Sequence, residues 1–109
     1  MILVIQTVKP EIEIMLFDDK LILLEKKSWL SLKDEVARLL PEIETLLKTV
    51  DCDWKQIKKI LVINGIGGFS STRIGVTVAN TLAFALKADL YELTYPETEM
   101  KLEELVKQF

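Results

Sequence analysis

The chain is 109 residues long with a mass of 12.5 kDa, half of its residues are hydrophobic, and only seven are glycine or proline. That allows one domain with one core and excludes a disordered or collagen-like chain. Fourteen basic against seventeen acidic residues leave a net charge of −3, so the chain lacks the basic surplus by which proteins hold nucleic acid.

Residues 1–8 (MILVIQTV) are apolar and β-branched and end at Lys9-Pro10, which predicts a largely buried strand. Residues 11–17 (EIEIMLF) begin by alternating Glu11 and Glu13 with Ile12 and Ile14, the pattern of a strand with one wet face. Asp18-Asp19-Lys20 supplies a tight turn, and residues 21–26 (LILLEK) return as a third strand. Short links between the three imply an antiparallel meander.

The period then changes. Ser31 is a good N-cap, and Leu32, Val36, Leu39, Leu40, Ile43, Leu46, Leu47 and Val50 form one helical stripe. At about 100° per residue that stripe is about 120° wide, enough for one sheet face. Pro41 lies opposite it, toward solvent, and Trp29 and Trp54 flank the helix and are expected to close its ends over the core. Asp53-Trp54-Lys55-Gln56 reads as a capping box on a short turn, followed by a core strand at 59–64 (KILVIN). A glycine-rich break precedes a second helix at 70–87, a fifth strand spans 87–93, and Pro96 starts a third helix. The helix between strands four and five makes those two parallel.

Zero histidine removes Ser-His-Asp and Cys-His catalysis and every histidine-containing metal site. The lone Cys52 has no partner for an internal disulfide and no neighbouring base to activate it. No apolar run approaches the length of a membrane span, and the apolar start is shorter than a signal sequence core. A cytoplasmic protein is expected.

Residues 65–75 (GIGGFSSTRIG) concentrate the unusual positions: Gly65, Gly67, Gly68, Phe69, Ser70 and Arg73. A glycine loop between strand and helix is most simply a turn capped by Ser70 or Ser71; phosphate cradling is the alternative, without a GxGxxG or GK[ST] pattern to support it. The helix behind it has a polar sector (Arg73, Thr77, Asn80, Thr81, Phe84, Lys87) and an apolar arc of about 200°. Gly75, Ala79 and Ala83 form a smooth groove in that arc. The first helix can fill it, a partner chain can pack on Ile74, Gly75, Val78, Ala79, Leu82 and Ala83, and both can hold together.

The segment GIGGFSSTRIGVTVANTLAFAL resembles the GPGSFTGLRIG-x-x-x-A motif of the TsaB family, which takes part in making threonylcarbamoyladenosine in tRNA. ILVIQT resembles the family's ILAIDT strand, and LLPEIETLL resembles its LLP-x-I-x-x-LL helix. The resemblance covers nearly the whole chain. It implies an α/β fold, a ribonuclease H-like domain of the actin/Hsp70 superfamily over residues 1–109. That is a mixed five-stranded sheet with three helices in the order β-β-β-α-β-α-β-α, corresponding to the family's N-terminal half without its second domain.

It further implies a non-catalytic scaffold, without cofactor or metal, that docks helix to helix on a TsaD-like transferase subunit in a complex with a TsaE-like ATPase. Gln6 stands where the family has an aspartate that in catalytic relatives helps hold metal and phosphate. A neutral amide is a weaker ligand for a hard cation. The alternatives are a homodimeric interaction module with a changed partner, or a small nucleotide-binding hydrolase, disfavoured because strand one offers no acid.

The acidic balance makes one outcome testable without a structure. The chain alone should bind tRNA only weakly at physiological salt, and a submicromolar gel shift without a partner would contradict that.

Overall fold

The computed structural model describes residues 1–30, 35–64 and 70–94, together with Glu104 and Val106. Five strands form one sheet: β1 (Ile2–Gln6), β2 (Glu11–Phe17), β3 (Leu23–Leu30), β4 (Lys59–Asn64) and β5 (Asp89–Thr94), in the spatial order β3-β2-β1-β4-β5. β1, β2 and β3 pair antiparallel as the meander required, while β4 runs parallel to both β1 and β5. Central β1 is buried throughout, which is why its sequence carries no wet face.

Alternation divides the core in two. On one face Leu3, Ile5, Ile12, Ile14, Ile60 and Val62 pack under helices α1 (Glu35–Thr49) and α2 (Ser70–Leu86). On the other, Ile2, Val4, Met15, Phe17, Leu61 and Ile63 gather with Val106. Each fully buried side chain of this kind contributes about 1.5–3 kcal/mol.

Two α-helices stand among the described residues, against the three expected. The third, expected from Pro96, falls almost wholly outside them, with Glu104 and Val106 helical. β3 also runs to Leu30 rather than stopping at Lys26, and places Trp29 in the strand instead of at a helix end. As an edge strand β3 can carry charge, because its side chains reach solvent or a partner. Lys27 Nζ lies 2.7 Å from Glu42 Oε2 on α1, and Arg38 stacks 4.9 Å from the Trp29 ring centroid. The expected cap Ser31 and first apolar position Leu32 lie outside the described residues. Pro41 is exposed as expected, but Leu40 is also partly exposed rather than fully packed.

The turns follow the local chemistry. Asp18 accepts the N–H groups of Lys20 and Ile22 at 2.8 and 2.9 Å, with Leu21 at a positive φ of 62°. The capping box is present on the 3-10 turn Trp54–Gln56: Asp53 accepts from Lys55 N, and Gln56 Oε1 accepts from Asp53 N. Both helices end in left-handed residues, Asp51 (φ 57°) and Lys87 (φ 55°). The following N–H groups, of Cys52 and Ala88, each reach back 2.9 Å to the carbonyls of Leu47 and Ala83.

α2 meets the end of β1 at very close range. A Cβ built on Gly75 would stand 2.3 Å from the Oγ1 of the fully buried Thr7, so one of the two would have to shift. Gly75→Ala should therefore lower the melting temperature by roughly 5–15 °C, although alanine is the better helix former. Adding Thr7→Ala should recover part of the loss, a coupling that a thermal double-mutant cycle would detect.

Candidate docking site on helix α2

α2 inherits its two-sided character from one stripe of small residues. Gly75, Ala79 and Ala83 recur every fourth position, so they line one side of the helix and let it settle onto its support. Ala79 is fully buried, and Ala79, Leu82 and Ala83 share a core with Leu39, Ile43, Leu46 and Leu47 of α1 and Ile60 and Val62 of β4.

The larger part of the expected interface therefore lies in the chain's own core. Gly75, Ala79, Leu82 and Ala83 face the chain's own sheet and first helix and are not available to a partner. Ile74 and Val78 remain half-buried on the shoulder of that contact. The arc of about 200° is wider than one sheet face covers, but sheet and α1 together cover more than the sheet alone. The small-residue groove is what allows them to do so.

The loop part of the expected site, Gly65, Gly67, Gly68 and Phe69, lies outside the described residues, and so does the phosphate-cradling alternative. Ser70 opens α2, and Arg73 is exposed in its first turn.

The outward face is the one that sequence reading passed over. Phe84 is 89% exposed, although it is the largest apolar residue of the helix. Around it stand Thr77, Asn80, Thr81 and Ala85, all exposed, and Arg73 is the one charged residue between Ser70 and Leu86. Asn80 Nδ2 donates to Val76 O and Thr81 Oγ1 to Thr77 O, both at 2.9 Å. These polar groups have partners on their own helix, so covering this face with a second apolar surface would cost little desolvation. The signal was present: an aromatic residue in a polar sector has no reason to be there on packing grounds.

A divalent cation does not fit the strand-end position. The Gln6 oxygen already accepts the N–H groups of Val8 and Lys9, and its NH2 donates to Glu11 O at 3.1 Å. Among the described residues no group of three or more His, Cys, Asp or Glu is placed to hold a metal. No helix among them is long and apolar enough to cross a membrane.

Structural comparison places this geometry in a known setting. YeaZ from Pseudomonas aeruginosa superposes with a TM-score of 0.75 at 25% identity, covering 85% of this chain and 42% of that one. Thermus thermophilus RuvC in complex with Holliday junction substrate gives a TM-score of 0.58 at 10% identity over 85% of this chain and 63% of that one, a likeness of fold alone. The fold is therefore ribonuclease H-like in its five-stranded mixed sheet.

In sequence, the profile of the family described as "TsaD: tRNA N6-adenosine threonylcarbamoyltransferase" matches residues 31–97. The tRNA threonylcarbamoyladenosine biosynthesis protein TsaB of Bacillus subtilis (strain 168) is 32% identical over 97 residues, 89% of this chain and 42% of that protein. The chain thus spans less than half the length of the TsaB and YeaZ proteins it matches. With the TsaD-type profile matched over more than half of its residues and the TsaB relative beside it, the chain belongs to the family of TsaD-type and TsaB proteins.

Proposed function

We propose that the chain is a non-catalytic accessory subunit in tRNA threonylcarbamoylation, which docks a TsaD-type transferase subunit through the outward face of α2. The observation that carries this reading is Phe84, 89% exposed on a helical face free of charge from Thr77 to Ala85. Single exposed apolar residues are ordinary; an aromatic on an uncharged helix face, where Asn80 and Thr81 donate to their own helix, suits an interface core. Helix-to-helix contact suits it, because threonine and alanine beside Phe84 leave room for a partner's side chains. The non-catalytic part of the proposal draws on the absence of histidine and on Gln6, whose amide is committed to backbone. A cytoplasmic setting and a TsaE-like ATPase as a further component of the complex belong to the same proposal.

The second reading, a homodimer, uses the same face and differs only in occupant. Sedimentation of the chain alone and mixed with the TsaD-type subunit separates them. A species of chain plus transferase subunit supports the first, and a dimer indifferent to added subunit supports the second.

Two substitutions on α2 should act in opposite ways. Phe84→Glu should leave the circular dichroism spectrum and melting temperature near wild type, and weaken association by about 30-fold or more, as expected for an aromatic anchor. Ala79→Glu buries a charge in the core and should destabilise the fold itself by several kcal/mol. Full-strength association by Phe84→Glu would place the interface elsewhere.

A further inference from the structure

Gln6 closes β1 with a fully buried side chain whose amide is used in both directions on one stretch of backbone. Its Oε1 accepts from the N–H of Val8 and, at 2.9 Å, from that of Lys9, while Nε2 donates 3.1 Å to the carbonyl of Glu11. These contacts bracket residues 7–10, where Pro10 has no N–H to offer. The side chain supplies the hydrogen bonds that this turn cannot make within itself. The demand is two-sided: an acceptor for two donors and a donor for one acceptor. An amide meets it; a carboxylate of the same length has no donor. The next residue, Thr7, is the fully buried side chain against which Gly75 of α2 rests.

We propose that Gln6 is an amide-specific positioning residue: it locks the 7–10 turn as a neutral unit and, through Thr7, fixes the seat of Gly75 and with it α2. This holds whatever docks on the outer face of that helix.

The nearly isosteric Gln6→Glu tests the proposal through pH. At neutral pH it sets a carboxylate oxygen against the Glu11 carbonyl in a buried position, and protonation restores the donor that the amide provided. Glu13 lies opposite Gln6 on β2, and Lys9 and Glu11 belong to the turn itself. β4 presents Ile63 alongside, and Arg73 is the nearest charged residue to Gly75 along α2. The Val8 and Lys9 N–H groups favour a charged acceptor at one oxygen, but burial and the Glu11 carbonyl facing the other oxygen call for a proton there, so the new carboxyl should titrate above its ordinary value of about 4.3. A folded-state value raised in this way means the penalty is absent below the unfolded value and complete above the folded one.

The gap in melting temperature between wild type and Gln6→Glu should therefore narrow by half or more as pH falls from about 8 to about 4.5. Gln6→Leu, which removes donor and acceptor together, should show a gap that does not change with pH. If Gln6→Glu is unfolded at neutral pH, acidification should fold it. In the wild-type chain, hydrogen exchange at the Val8 and Lys9 amides should be slowed about 100-fold or more relative to an unstructured peptide. A gap that is constant with pH, no gap at all, or unprotected Val8 and Lys9 amides would each overturn the assignment.

Discussion

The contact between Gly75 and Thr7 sets the height of α2 above the sheet. A methyl group at position 75 would lie 2.3 Å from Thr7 Oγ1, so the helix can rest where it does only because that position carries hydrogen alone. Ala79 and Ala83 continue the close approach along the next two turns, and the core they share with α1 and β4 closes behind them. Because Thr7 directly follows β1, the most buried strand of the sheet, the helix is referenced to the most constrained part of the molecule.

That seat divides the chemistry of α2. Its small residues are consumed by the fold, and its outward side is left with Phe84 among threonine, asparagine and alanine side chains. A helix whose charged residues were spread around its outer face would be finished as a solvent-exposed element. This one keeps an uncharged outer face around Phe84, which fits the proposed accessory role. A chain without histidine, with its strand-end amide committed to backbone, leaves covalent chemistry to such a partner in that proposal.

The distribution of glycine explains a second feature. All four glycines lie between positions 65 and 75, so none is available where the helices stop. Asp51 and Lys87 adopt the left-handed conformation instead, at a cost of roughly 1–2 kcal/mol each. The hydrogen bonds from Cys52 and Ala88 back into the last turns offset part of that cost. A search for glycine as the stop signal would therefore miss both ends.

Local information was enough for much of the architecture. The alternation of Glu11-Ile12-Glu13-Ile14, the Asp18 turn, the Asp53–Gln56 capping box and the span of β4 were legible because each depends on residues within a few positions of one another. The family motif at 65–75 likewise marked α2 as the informative helix. Which side of α2 is free was not legible. A stripe of glycine and alanine fits a partner chain and the chain's own sheet equally well, and only the pairing of β1 beside β4 brought Thr7 under Gly75. β3 outran its expected end for the same kind of reason, since Lys27 is tolerated in the strand through Glu42, fifteen residues away on α1. Periodicity and short-range hydrogen bonding were enough to mark most of the elements, and the 65–75 motif was enough to mark the family. The tertiary structure alone decided which face is core and which is surface, because that depends on contacts between residues far apart in the chain.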